Sequence, residues 1–511
     1  MASTMTSSYR RVRDHFEPQD ISPEDQRRLR GQLEQIDYAA FISNRELIGQ
    51  RLGPAVTSLS AGASDMSGWM LLGLPGAMFV SGLSASWIAI GLFIGAFANY
   101  LLVAPRLRVY TELANDAITI PDYFEKRFED RSRLLRVISS VVIVIFFTLY
   151  TSSGLVAGGK LFDSAFGVDY AWGLWVTAGV VVAYTLFGGF MAVSLTDFVQ
   201  GCIMFVALIV VPVVALTDVG GIGGLTATVR SVDPALLGLL TGTSLIGIIS
   251  ALSWGLGYFG QPHIIVRFMA IRSVRDIPAA RNIGMTWMAV TIIGALATGL
   301  TGLAYATNNG IEVSDPETIF IVLSDLLFNP LVTGFLLAAI LAAIMSTSSS
   351  QLLVSSRSLT EDFYGVFFRR NASQKELVTV GRLAVVLVSL VAIYLAYDPN
   401  SNVLTLVSNA WAGFGAAFGP LVILSLLWRR ITRNGALAGM IVGAATVLFW
   451  VFVPVLPGGE ALTTVIYEIV PGFILATLAT VIVSLMGRPP ESVVATFDQA
   501  KAELRAARSS D

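Results

Sequence analysis

Ser60-Ala61-Gly62-Ala63-Ser64-Asp65-Met66-Ser67-Gly68-Trp69 sets a single carboxylate in the middle of an apolar segment running from about Pro54 to Val80. A charge near the bilayer centre costs roughly 2.5–3.5 kcal/mol on insertion scales, so it is rarely there without a partner or a function. Glycines and small residues on both sides of Asp65 allow the helix to open and release backbone carbonyls. A carboxylate beside free carbonyls is what a hard cation such as sodium needs when it leaves water. The stretch reads as an ion site inside a helical, membrane-embedded protein.

Composition supports that setting. Hydrophobic residues make up 54% of the chain and charged residues 13%, against about 25% charged in a soluble domain; mean hydropathy is +0.71. Such a chain cannot cover itself with polar surface and belongs in a lipid bilayer. The net charge of −2 comes with no basic groove, so no nucleic-acid partner is expected. The single cysteine, Cys202, lies in an apolar run and excludes a disulfide framework. His15 and His263 stand far apart, and neither a metal-enzyme motif, a nucleophile–base pair nor a phosphate loop occurs. The chain is therefore read as a non-enzyme without a bound cofactor. Residues 1–50 are polar, carry Arg10, Arg11, Arg13, Arg27, Arg28 and Arg30, and lack the apolar centre of a signal peptide. Ser22-Pro23-Glu24-Asp25 is a capped helix start, so a short surface helix to about Gln35 is expected in this tail.

A transmembrane helix needs about 20 mostly apolar residues. Twelve such runs are found, near 54–80, 83–104, 134–158, 171–189, 192–216, 242–261, 283–306, 331–357, 378–397, 403–427, 436–456 and 464–486. Basic residues cluster after the second span (Arg106, Arg108, Lys126, Arg127, Arg131, Arg133, Arg136) and after the sixth (Arg267, Arg272, Arg275, Arg281). Further clusters are Arg357, Arg369, Arg370 and Lys375, then Arg429, Arg430 and Arg433, whereas the intervening loops are almost free of Lys and Arg. The positive-inside rule puts the basic loops and both termini in the cytoplasm. The first and sixth spans then run in opposite directions, and both are interrupted by glycine: Gly62 and Gly68 in one, Gly255, Gly257 and Gly260 in the other. Corresponding broken helices point to a midplane binding site in a LeuT-type 5+5 inverted repeat. The expected organisation is a polar cytoplasmic tail at 1–50, a ten-helix core at 51–430, two peripheral helices at 431–487 and a cytoplasmic tail at 488–511.

Several side chains suit such a site. Five consecutive hydroxyls, Ser346 to Ser350, end the eighth span; they either bond back to carbonyls one turn earlier or serve a cation together with the opened first helix. Trp254 and Tyr258, four apart, share a helix face while the helix persists, and wall a pocket for a small, partly apolar ring or belong to an interfacial aromatic belt. Tyr150, followed by Thr151-Ser152-Ser153-Gly154, is a similar candidate. Asp197 is either a carboxylate favoured at a helix start or a step on an ion exit path.

The blocks at 60–69, at Trp254-Gly255-Leu256-Gly257-Tyr258-Phe259-Gly260-Gln261-Pro262-His263 and at Met345-Ser346-Thr347 closely resemble the sodium:solute symporter family, in particular its proline-carrying branch. So do Pro121-Asp122-Tyr123-Phe124, Phe128-Glu129-Asp130 and Arg433-Asn434-Gly435-Ala436-Leu437-Ala438-Gly439-Met440, with their spacing kept over roughly 51–490. By that resemblance, sodium is held by the carbonyls of Ala63, Met66 and Ala343 and the hydroxyls of Ser346 and Thr347. Asp65 supports sodium affinity from close by, Ser67 couples ion to solute, and Asp197 influences sodium release. Tyr150, Trp254 and Tyr258 line the solute pocket. The resemblance implies sodium-coupled import of L-proline across a bacterial inner membrane, with lipid as the surrounding partner and no obligate protein partner. The same fold carrying another solute or coupled to protons is the nearer alternative, and a membrane sensor or channel the farther one. The chain departs from the family at the front, where members have an additional helix before the first broken one and an arginine where Gln50 stands here beside Arg51.

Overall fold

The computed structural model describes residues 52–114, 117, 119–187, 190–365, 369 and 372–509; the expected tail at 1–50, with Gln50, and Arg51 lie outside the described residues. Helices dominate, and among the described residues the extended pairings are two isolated bridges, Leu52 with Ile271 and Pro454 with Ala461.

The first span is in two pieces. Helix α1, Pro54–Asp65, starts on a proline and ends where Met66 leaves the helical path at φ −86°, ψ 79°. The chain resumes through a wide turn at Trp69–Gly73 and helix α2, Leu74–Ser81. Gly68 permits this close passage, since a Cβ there would lie 2.7 Å from the Ala157 methyl. Gly82, at φ +59°, then turns the chain into α3, Ser86–Leu102, and α4, Ala104–Leu113. Helix α5, Ile120–Arg127, is capped by Thr119 and leads into the long α6, Leu134–Phe166. Helices α7, Tyr170–Phe187, and α8, Phe190–Asp218, follow, then a peripheral α9, Gly221–Val232.

The sixth span is also broken. Helix α10, Leu245–Leu252, tightens into a 3-10 segment, Ser253–Phe259, and the chain restarts as α11, Pro262–Ala270. The sequence reading ended this span at 261. Pro262 instead opens a new half-helix, because a proline fits the first helical turn where no N–H partner is needed. Gly255 lets this segment lie against α3, since its Cβ would fall 2.2 Å from the Gly91 carbonyl oxygen.

Helices α12, Ile277–Asn309, α13, Ile319–Leu327, α14, Pro330–Arg357, α15, Gln374–Leu395, and α16, Val403–Leu427, follow. Helices α17, Arg433–Phe452, and α18, Ile469–Leu485, pack face to face. Glycines 435 and 439 lie against Thr480 and Ser484 there, the small-residue contact that lets membrane helices approach closely. The expected C-terminal tail folds as α19, Glu491–Ser509, which lies on α4.

Among the described residues eight helical segments, Trp69–Leu113 taken as one, are long and apolar enough to cross a membrane, and three shorter apolar ones accompany them: Tyr170–Leu186, Leu245–Phe259 and Ile469–Leu485. The outward faces carry exposed Val180, Ile293, Leu387 and Ile482, as a lipid-facing surface requires. Three arginines assigned to basic loops are in fact buried: Arg108, Arg127 and Arg267. Arg108 donates to the Ile271 carbonyl at 2.7 Å and Arg127 to the Ser425 carbonyl at 3.0 Å, so these two fasten helix ends.

Candidate ion and solute site

The opened stretch after α1 lies against the middle of α14, α6 and the sixth-span break. The Ala63 carbonyl, near the end of α1, accepts hydrogen bonds from Ser346 Oγ at 2.7 Å and Thr347 Oγ1 at 3.4 Å. Ser346 Oγ also lies 3.1 Å from the Ala343 carbonyl. Four of the expected sodium ligands thus converge. Met66 is placed at the break itself, with its sulfur accepting from Thr291 Oγ1 at 3.6 Å. Two later hydroxyls of the run have other partners. Ser349 bonds back to the Ser346 carbonyl at 3.3 Å, and Ser350 accepts from Arg267 at 3.0 Å.

The Asp65 carbonyl, two residues further on, is held differently. Asp65 O accepts from Trp69 Nε1 and from Tyr150 Oη, both at 3.1 Å, and from the Ser67 amide at 3.1 Å. Tyr150, 1% exposed, therefore grips the break in the first helix. The Asp65 carboxylate is buried; its Oδ2 accepts from Tyr258 Oη at 2.5 Å, while Oδ1 has no hydrogen-bond partner among the described residues. Among those residues no Lys or Arg pairs with it. A cavity of about 30 Å³ lies beside it, lined in part by Tyr100, Asn99 and Tyr258. The Ser67 hydroxyl is likewise buried without a partner among the described residues.

The α-helix does not persist through this segment, so Trp254 and Tyr258 do not share a face. They stand on a 3-10 segment with about 3.0 residues per turn, so four steps end roughly 120° apart. Trp254 lies near Trp69 at 6.3 Å and stacks on Tyr467 at 5.4 Å and Trp411 at 6.5 Å. Tyr258 meets Trp411 edge-on at 5.1 Å while its hydroxyl reaches Asp65. Trp254 is 6% exposed and so is no belt residue. Trp411 Nε1 donates to the Trp254 carbonyl at 2.7 Å, Asn99 to the Tyr258 carbonyl at 3.0 Å, and Gln261 to the Trp411 carbonyl at 3.1 Å. A Cβ on Gly257 would lie 1.8 Å from Trp411 Nε1, so only glycine admits the indole.

Asp197 is not in the first turn of α8, so the helix-start reading fails: seven residues precede it in the helix. It is fully buried and pairs with Arg267 Nη2 at 2.9 Å. Ser60 completes the contact, donating to Asp197 at 2.9 Å and accepting from Arg267 Nε at 2.8 Å. Arg267 also donates to the His263 carbonyl. This network joins α1, α8, α11 and α14 toward the basic end of the bundle. Sequence reasoning missed Arg267, Trp411, Gln261 and Ser60. An arginine one turn after His263, inside an apolar half-helix, was the legible sign of a buried partner for Asp197.

Known proteins resemble this chain in sequence and in fold. The osmoregulated proline transporter OpuE of Bacillus subtilis is 60% identical over 449 residues, 88% of this chain and 90% of the relative. The high-affinity proline transporter PutP of the same organism is 60% identical over 464 residues, 90% and 97%. Sodium/proline symporter 2 of Staphylococcus saprophyticus is 56% identical over 457 residues, 89% of each. Among solved structures, the substrate-bound outward-open state of a Na+-coupled sialic acid symporter superposes with a TM-score of 0.70 at 19% identity, covering 90% of this chain and 97% of the other. Mhp1, a nucleobase-cation-symport-1 family transporter, in its closed conformation gives 0.53 at 14% identity, covering 88% and 97%. These likenesses establish the LeuT-type transporter fold. The model of the sodium:solute symporter family matches residues 47–443, and with those relatives it places this chain in the sodium:solute symporter family.

Proposed function

We propose that the chain imports L-proline with sodium by alternating access across a bacterial inner membrane. The observation that carries this reading is the pair of hydroxyls, Ser346 and Thr347, set against the freed Ala63 carbonyl. The relatives named as proline transporters supply the solute. Sodium takes the carbonyls of Ala63, Met66 and Ala343 and the hydroxyls of Ser346 and Thr347. A hydroxyl both donates and accepts, so each rotates from its carbonyl to offer a lone pair to the ion. Asp65 supplies negative charge beside that site, and Ser67 links it to the solute. Tyr150 and Tyr258 hold the Asp65 backbone and carboxylate, so ion binding that orders the break also shapes the pocket they line with Trp254. Asp197, tied to Arg267, closes the inward path and governs sodium release.

The eight long apolar helices, the three shorter ones and the turn at Gly82 within Trp69–Leu113 support twelve spans. Both termini then lie in the cytoplasm, with the core at 51–430, peripheral spans at 431–487 and polar tails at 1–50 and 488–511. The driving force suffices. One charge moving across 100 mV supplies about 2.3 kcal/mol and a tenfold sodium gradient about 1.4, enough together for roughly 500-fold accumulation.

The test is uptake of radiolabelled L-proline into proteoliposomes under a sodium gradient, then under a proton gradient alone. Sodium-dependent uptake is expected. Uptake driven by protons alone would move the coupling ion, and no uptake under either gradient would remove proline as the solute.

A further inference from the structure

At the basic end of the bundle, α19 does not lie flush on the ends of α4 and α16. Beside its contact with α4 a cavity of about 360 Å³ remains, lined by Arg106, Tyr110, Leu426, Leu427, Phe497, Ala500, Lys501, Leu504 and Arg505. Its volume falls in the range of small-ligand sites, about 300–1,000 Å³. Three of the lining side chains are cationic, and no carboxylate is among them. Asp498 of α19, three residues before Lys501, is engaged by Arg429 at 2.7 Å.

The cavity is held open by a fixed frame. Val493, Phe497, Ala500 and Leu504 recur at helical spacing and are buried, which pins α19 in place. Arg127 is buried with its guanidinium 5.0 Å from the Tyr110 ring centre and 5.5 Å from that of Phe497, so a positive charge backs the wall. Tyr110 is 2% exposed, and its hydroxyl has no hydrogen-bond partner among the described residues. A buried hydroxyl without a partner costs free energy, and an acceptor oxygen in the cavity would relieve it.

The mouth of the cavity meets the surface where two spans end. Arg106 donates to the Leu102 carbonyl at 2.8 Å, and Leu101, Leu102 and Leu427 expose their side chains at these span ends. Cations above exposed leucines match a molecule with an anionic head and apolar tails. Basic pockets of this kind at the ends of membrane helices take phospholipid headgroups.

We propose that this cavity is a binding site for a phosphate ester, occupied by the headgroup of an anionic phospholipid whose acyl chains run along Leu101, Leu102 and Leu427. Lys501 and Arg505 of α19 and Arg106 of α4 neutralise the phosphodiester, and Tyr110 donates to one of its oxygens. The lipid then bridges the C-terminal helix to the transport core.

Native mass spectrometry of the detergent-purified full chain, titrated with phosphatidylglycerol and separately with phosphatidylcholine, reads this directly. The first phosphatidylglycerol is expected to bind at least about tenfold more tightly than phosphatidylcholine. The double variant Lys501→Gln/Arg505→Gln, on exposed side chains, should lose about 10–30-fold in that affinity, Tyr110→Phe less, and a remote control, Lys375→Gln, nothing. Inorganic phosphate in a parallel thermal-stability titration separates the two sources. Stabilisation by phosphate without any preference for phosphatidylglycerol keeps the phosphate chemistry and removes the lipid. Equal binding of the two lipids with no effect of phosphate, or unchanged phosphatidylglycerol affinity in the double variant, overturns the proposal.

Discussion

The two broken helices solve the same problem with different donors. In the sixth span the loosened carbonyls of Trp254 and Tyr258 are taken by an indole N–H and an amide N–H. In the first span the Ala63 carbonyl is taken by two hydroxyls. An indole or amide nitrogen has no lone pair to offer a cation, while a hydroxyl oxygen has two. The sixth-span break is therefore fixed, and the first-span break can be rebuilt around an ion. The buried acids follow the same division. Asp197 is matched by Arg267, whereas Asp65 has a neutral tyrosine and one oxygen without a partner among the described residues.

The strongest way to break this division is at the link between the two helices. Arg267→Met leaves Asp197 buried without its cation, and breaking a buried pair costs about 3–5 kcal/mol. A large fall in the melting temperature of the purified protein is expected, with much of it recovered in the Asp197→Asn/Arg267→Met double variant. Equal melting temperatures for wild type and the single variant would mean that the network is not a structural closure.

The next effect sharpens the contrast at the first break. Ser346→Ala removes an oxygen expected to face sodium, and a hydrogen bond or ligand to a charged group contributes about 1.5–3 kcal/mol. The sodium concentration for half-maximal proline uptake should rise about 10–100-fold, with little change in proline affinity at saturating sodium. The matching change at the sixth break is Trp411→Phe, which strands the Trp254 carbonyl at a cost of about 1–3 kcal/mol. There the half-saturating proline concentration should rise about tenfold or less, while sodium activation stays nearly as in wild type. If both variants shifted sodium activation alike, the two breaks would have no separate roles.

The broken first helix was legible because a membrane span tolerates a carboxylate flanked by glycines only where the helix opens or the charge is used. The hydroxyl run was legible as a type of residue, but not in which hydroxyl meets which partner. Whether Ser346 or Ser350 faces Ala63 depends on how α14 is rotated against α1, and no local pattern carries that angle. Arg267 was misread for a simple reason: a proline-initiated half-helix after Gln261 looks, residue by residue, like a loop. The 3-10 geometry that separates Trp254 from Tyr258 comes from close backbone contact with Gly91 and Gly95 on α3, a tertiary cause. Helix α19 could have been read from its apolar spacing at 493, 497, 500 and 504, although its seat on α4 could not.

A third acid provides the smallest and cleanest test, because it is what a satisfied carboxylate looks like in this fold. Asp130 lies outside the spans, between α5 and α6. It accepts from Arg433 Nε at 2.7 Å, Ser132 Oγ at 2.6 Å and the Leu135 amide at 2.8 Å. Burial pushes its carboxyl up, but these hydrogen bonds and the Arg433 charge outweigh that and hold it below the ordinary carboxylate value. A depressed folded pKa gives stability that is fully present above the unfolded value and is lost as pH falls through the folded one. The contribution should therefore be constant near neutrality and decline only below about pH 4. Asp130→Asn is expected to lower the melting temperature slightly at pH 7, with the deficit shrinking as both proteins are taken below pH 4. A deficit that stayed constant into acid would mean that geometry, not charge, is what Asp130 contributes. The separation of structural from ion-binding carboxylates would then rest on the unpartnered oxygen of Asp65 alone.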